Sequence, residues 1–179
     1  MPNPSPALFV TVVGPVAFVK IGGRANFTAS ADFKKLVGAL RQHGLEKFVL
    51  DLTDCITMDS TFLGVLSGLA LKIKEATQKS ENARLELLNP NQRVADLLEN
   101  LGVGHLFVFV QGCCPVTAQL EPVPAEAASL SREQMSLNCL EAHQTLMQIN
   151  PANIPKFKDV AQFLAEDLKK LKTPDQGSQ

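Results

Sequence analysis

Residues 48–66 read FVLDLTDCITMDSTFLGVL, an apolar run followed by a turn and then by the opening of a helix. The run at 48–52 is interrupted only by Asp51, which suits a strand covered on both faces. Thr53 and Asp54 signal the turn. From Asp59 onward the spacing becomes helical, with Leu63, Leu66, Ala70 and Ile73 on one stripe and Lys72, Lys74 and Glu75 away from it. Asp59 or Ser60 is the natural N-cap, because a short oxygen-bearing side chain accepts a bond from the unpaired amides of the first turn. Ser60 therefore stands near free N–H groups and the positive end of a helix dipole, where an exposed phosphate gains about 0.3–1 kcal/mol. Gly64 and Gly68 lie four apart on the same helix. Glycine costs about 1 kcal/mol in a helix interior relative to alanine, so the pair implies close approach by another backbone.

The rest of the first two thirds alternates in the same way. Residues 8–13 and 16–21 are apolar strand candidates joined by Gly14-Pro15, a turn that suits a hairpin. Thr28 or Ser30 caps a helix through about His43, with Phe33, Leu36, Val37 and Leu40 facing a sheet. A strand near 84–88 is followed by Asn89-Pro90, which opens a helix carrying Val94, Leu97, Leu98 and Leu101 and ending at Gly102. Residues 106–110 read as a last strand. Strands alternating with helices imply an α/β fold, a small and mainly parallel sheet covered by helices.

The character changes after Cys114. Pro115, Pro122 and Pro124 with Ala125, Ala127 and Ala128 give 115–130 a linker-like composition, dividing a domain at 1–114 from a helical extension at 131–179. Ser131 caps a helix to about Ile149, with Leu137, Leu140 and Met147 among its apolar positions, and Asn150-Pro151 breaks it. A final helix, about 155–171, carries Phe157, Val160, Ala161, Leu164, Leu168 and Leu171 on one face. Such a stripe has to be buried on something. Either the helical pair packs back on the α/β domain or on itself, or it docks a partner or forms a homodimer through these helices. Residues 173–179 read as a disordered tail.

Composition narrows the function classes. The 179 residues carry a formal charge of -1 and 45% hydrophobic residues, enough for a packed core and without a basic surface that would invite nucleic acid. No apolar run reaches the roughly 18–20 residues of a membrane span, and residues 1–6 lack the regions of a signal peptide, so a cytoplasmic protein without membrane insertion is expected. Cys55, Cys113, Cys114 and Cys139 form no C-x-x-C pair, and His43, His105 and His143 are scattered. No metal, cofactor or catalytic set is expected from such spacing, and Gly22-Gly23 is a turn rather than a phosphate loop.

The segment Asp59-Ser60-Thr61, followed by Leu63-Gly64-Val65-Leu66, resembles the signature of the STAS family of sulfate transporters and anti-sigma-factor antagonists. A turn with Gly23-Arg24-Ala25-Asn26-Phe27, then Leu87-Leu88-Asn89-Pro90 and Leu101-Gly102-Val103, match in order, so the resemblance covers about residues 8–112. It implies the STAS fold and a non-enzymatic anti-sigma-factor antagonist in a partner-switching circuit. In that scheme the unphosphorylated chain binds an anti-sigma factor that is also a serine kinase. Phosphorylation of Ser60 releases it, and a PP2C-type phosphatase restores the serine. The resemblance places Asn26, Thr28, Met58, Asp59, Ser60, Thr61, Phe62 and Gly64 at the partner surface. Asn26 replaces the more usual acidic residue, and Phe62 is bulkier than the glycine often found there. A constitutive STAS adaptor, or a STAS subunit of a lipid-transport ATPase complex, is the alternative.

Overall fold

The computed structural model describes residues 7–78 and 83–173. Strands β1 (Ala7–Val13) and β2 (Val16–Ala25) pair as an antiparallel hairpin across Gly14-Pro15. Gly14 adopts φ +57° in this turn, a conformation that glycine reaches without a steric penalty. There follow α1 (Phe27–Gln42), β3 (Lys47–Asp51), β4 (Cys55–Met58), α2 (Ser60–Thr77), β5 (Arg84–Leu88) and α3 (Gln92–Asn100). The chain continues through β6 (Val108–Val110), β7 (Glu121–Pro122), α4 (Arg132–Ile149) and α5 (Ile154–Lys172).

The sheet has the order β6-β5-β3-β2-β1-β7, with β4 beside the end of β2. Strands β2, β3, β5 and β6 run parallel, while β1 and β7 are antiparallel to their neighbours. Parallel neighbours require long crossovers, which α1, α2 and α3 supply. This is the expected α/β arrangement, a mixed sheet with helices and a C-terminal helical extension. Phe48 and Leu50 of β3, Val19 and Ile21 of β2, and Leu87 of β5 are fully buried. Phe33 of α1 meets Phe62 of α2 above them, ring centroids 5.2 Å apart.

Several local expectations are corrected. Helix α1 is capped by Asn26, not by Thr28 or Ser30: the Asn26 side chain accepts from the Ala29 N–H at 3.0 Å, and the Ser30 hydroxyl instead donates back to the Phe27 carbonyl. Helix α3 starts two residues late, behind the cap Asn91. Asn89 is held at φ 53° while its side chain bonds both backbone groups of Gly112. Gly102 ends α3 as expected, at φ +66°. Cys55, just after the turn signalled by Thr53 and Asp54, opens the unanticipated short strand β4. The segment 115–130 contributes β7 to the sheet edge and holds two short 3-10 turns, rather than running free. Proline has no N–H to donate, and an edge strand tolerates Pro122 for that reason.

The helical pair packs back on the domain. Helix α4, closed at its start by a capping box between Ser131 and Gln134, lies along α2 and is backed by α5. Leu146 of α4 is fully buried in the main core, with Ile149 and Phe157 partly buried against it. A second cluster of Leu140, Ala161 and Leu168 seals α4 against α5. Leu137, Val160 and Leu171, expected on the buried stripes, are exposed instead. Of the tail read as disordered, residues 174–179 lie outside the described residues.

Truncating Phe62 to alanine removes the ring that joins α2 to α1. A loss of about 3–5 kcal/mol in unfolding free energy is expected from urea denaturation, with the transition remaining cooperative.

Candidate partner-binding site

Two helices begin side by side at the end of the sheet. Asp59 caps α2, its Oδ1 accepting from the Phe62 N–H at 2.8 Å, while its Oδ2 accepts from the Phe27 N–H, the first residue of α1, at 2.6 Å. The Asp59 N–H in turn donates to the Ala25 carbonyl at 2.9 Å. One carboxylate therefore satisfies amides at the starts of both helices, where the dipoles favour negative charge. Asn26 stands beside it as the cap of α1.

Ser60 is the first residue of α2 and is half-buried. Its Oγ lies 2.9 Å from Nε2 of His143 on α4. The other ring nitrogen, Nδ1, lies 2.7 Å from the Cys139 carbonyl, which can only accept. Nδ1 therefore carries the proton, and in the neutral ring Nε2 is an acceptor to which the Ser60 hydroxyl donates. His143 is itself buried, its ring centroid 5.0 Å from that of Phe157 of α5 with the two planes tilted by 50°.

The next turns of α2 continue the contact. The Thr61 hydroxyl donates to the Cys139 sulfur at 3.7 Å. A Cβ at Gly64 would lie 2.6 Å from the Ala142 carbonyl carbon and 2.7 Å from its Cβ. Only glycine fits at that crossing, so one of the paired glycines finds its packing reason in α4. Three further tethers hold the pair down. Asn138 Nδ2 donates to Ser30 Oγ at 2.9 Å, Lys34 pairs with Glu141 at 2.5 Å, and Asn153 Nδ2 donates to the carbonyls of Leu101 and Leu146.

The expected site residues thus divide. Asn26, Thr28, Asp59 and Ser60 gather at the paired helix starts and are half-buried. Met58 and Phe62 do not face outward: they are core residues, 4% and 0% exposed, Met58 as the last residue of β4 beside β2 and Phe62 on the side of α2 that meets α1. Thr61 and Gly64 are buried beneath α4. Sequence spacing missed His143, Cys139 and Ala142. Their signal was a stripe at 139, 142, 143 and 146, spaced three and four apart, hidden by its mixed polarity.

Burial pushes the Cys55 thiol up to about 11, an effect that backbone hydrogen bonds only partly oppose. Burial also raises the Cys139 thiol, with the bond from Thr61 acting the other way. Among the described residues no three His, Cys, Asp or Glu side chains gather as a metal site. No described helix is long and apolar enough to cross a membrane. A cleft of about 470 Å³ opens where α4 meets α1 and α2, lined by Val37, Val65 and Leu69 with Lys34, Arg41 and Lys72 around them.

Residues 11–111 match the family model described as Mlab, STAS domain. A crystal structure of a candidate anti-sigma factor antagonist from Thermotoga maritima, TM1081, is 21% identical with TM-score 0.52, over 62% of this chain and 90% of that one. The solution structure of TM1081 gives 21% and 0.50 over 62% and 85%. The anti-sigma factor antagonist SpoIIAA, in its unphosphorylated form, is 16% identical with TM-score 0.48 over 63% and 92%. The TM1081 likeness speaks for the fold. Among curated proteins none matches this chain.

Alanine at Gly64 should cost about 1–3 kcal/mol in urea denaturation despite its better helix propensity, since its methyl overpacks the crossing. In alkylation by iodoacetamide at pH 8, Cys55 should be the last of the four thiols to label. A thiol at about 11 rather than 9.0 holds about a hundredfold less thiolate at that pH.

Proposed function

The chain belongs to the STAS-domain family, and on that premise we propose that it is a non-enzymatic partner-switching protein of the anti-sigma-factor-antagonist type, acting in the cytoplasm on transcription. Its working surface is the N-terminal half of α2 with the adjoining start of α1. The partner is an anti-sigma factor that is also a serine kinase. Binding occurs with Ser60 unmodified. The kinase then transfers the γ-phosphoryl group of ATP to Ser60 Oγ, the hydroxyl proton is lost and ADP leaves. A PP2C-type phosphatase hydrolyses the ester and resets the surface.

One observation supports this above the others: the α2 face is shaped to receive a helix, because α4 of the same chain is seated on it at Gly64 and Ser60. A surface with a glycine crossing and a serine at a helix start suits protein docking. It also suits control by charge. A phosphoserine carries about -1.5 to -2 at pH 7, and the adjacent Asp59 carboxylate is already committed to both helix starts. The added dianion repels that carboxylate and occupies the space a docked helix needs.

The half-buried, hydrogen-bonded state of Ser60 favours a second reading. A serine held by His143 is out of a kinase's reach, as suits a constitutive adaptor or a STAS subunit of a lipid-transport ATPase complex. Binding to a kinase-type anti-sigma factor from the same genome separates the two. Under the partner switch, Ser60→Asp should lose binding and Ser60→Ala should retain it, measured by titration calorimetry. Indistinguishable binding by the two variants leaves the adaptor.

A further inference from the structure

What covers the α2 face belongs to the same chain, and the cover is built to fit. We infer, on the basis of the partner-binding function proposed above, that the α4–α5 hairpin is the resident occupant of that face. An external partner engages it by presenting an α-helix of the same kind in place of α4.

The fit defines the kind of partner. Cys139, Ala142, His143 and Leu146 form one stripe of α4, meeting Thr61, Gly64, Ser60 and the main core in turn. The closest approach is backbone to backbone at Gly64, so a competing helix needs a small residue at its own crossing point. It also needs an acceptor one residue further on, where His143 now receives the Ser60 hydroxyl. A large side chain at the crossing is excluded by the same distances that exclude a Cβ at Gly64.

Three features make the occupant removable. The seam is rich in polar contacts, Asn138 to Ser30, His143 to Ser60 and Lys34 to Glu141, whose groups water can satisfy when the hairpin leaves. Asn138 Oδ1 is buried with no hydrogen-bond partner among the described residues, so opening satisfies an atom that docking leaves unpaired. The seam is also incompletely filled, as the cleft between α1, α2 and α4 shows. The hairpin meanwhile keeps its own cohesion through Leu140, Ala161 and Leu168 and the Arg132–Asp167 ion pair at 2.8 Å. Leu146, fully buried in the main core, makes the closed form the resting one. Docked α4 and a phosphate on Ser60 exclude each other, because the phosphoryl group replaces the hydroxyl hydrogen that Ser60 donates to His143 and has no room in a contact of 2.9 Å.

The test uses the full chain and an Ala142→Glu variant, which places a long charged side chain against Gly64 while leaving the STAS face unaltered. A fluorescent peptide of residues 131–173 is titrated into each, with circular dichroism to confirm that both are folded. The peptide should bind the variant and bind the wild type about tenfold more weakly or worse, since the wild-type face is mostly occupied in cis. Equal binding by the two chains, or none by the folded variant, overturns the inference. His143→Ala, a milder change, should fall between them, and peptide binding no stronger than that of wild type would also count against it. Ser60 phosphopeptide occupancy is measured in parallel on both full chains isolated from the native cell. Higher occupancy in Ala142→Glu supports the occlusion, and equal, non-zero occupancy counts against it. Ser60 unmodified in both removes the phosphoswitch, and the peptide titration then decides on the hairpin alone.

Discussion

Helix α2 is buried from two sides, and most of the molecule is arranged around that fact. Its Leu63, Leu66 and Ile73 belong to the main core, and Thr61 and Gly64 lie beneath α4. Helices apolar all round are ordinarily interior elements of larger proteins. Here a chain of 179 residues brings the N-terminal half of α2 close to that condition, Lys72, Lys74 and Glu75 staying exposed further along, by folding its own C-terminal third over a domain whose family match ends at residue 111. Gly64 is what lets that third come close enough. With a side chain at that position α4 would have to ride outward, and His143 would lose its reach to Ser60.

The polar atoms along the seam decide how firmly it holds. Asp59 ties the starts of α1 and α2 together whether or not α4 is present, so the receiving surface is shaped before anything docks. The contacts that α4 adds are mainly single hydrogen bonds, each worth about 0.5–1.5 kcal/mol net. The unpaired Asn138 oxygen offsets one or two of them, since a buried orphan acceptor costs about 1–3 kcal/mol. Apolar burial at Leu146 and Ile149 tips the balance toward closure. Rigid shape below and moderate adhesion above are what an exchangeable cover requires.

Much of this was legible in the sequence where the signal is local. The hairpin at Gly14, the strand and helix around Asp59, the end of α3 at Gly102 and the start of α4 at Ser131 each follow from turn or cap chemistry within a few residues. Strand β4 is only four residues long, too short for alternation to register, and β7 was masked by prolines that an edge strand accepts. Asn26 took the cap of α1 over Thr28 and Ser30 because its side-chain oxygen reaches the Ala29 amide, a choice among neighbouring residues that composition does not resolve. The site was half legible. The Asp59-Ser60 pair announces a helix start. Phe62 in the core and His143 against Ser60 depend on which faces α2 and α4 turn to each other, and the α4 stripe of cysteine, alanine, histidine and leucine has no periodic contrast to reveal it.

The segment that reads as a linker has a consequence of its own. The Val123 N–H donates to the Leu8 carbonyl, the Glu126 N–H donates to the Asp32 carboxylate, and the Glu126 side chain pairs with Lys35. The chain is thus fastened to the domain to within a few residues of Ser131, where α4 begins. A hairpin on so short a leash stays near its seat after letting go, at an effective concentration of the order of millimolar. Any rival in solution competes against that standing local excess. Weak, incidental helices are filtered out, and occupancy passes only to a partner that is tight-binding, abundant or itself brought close.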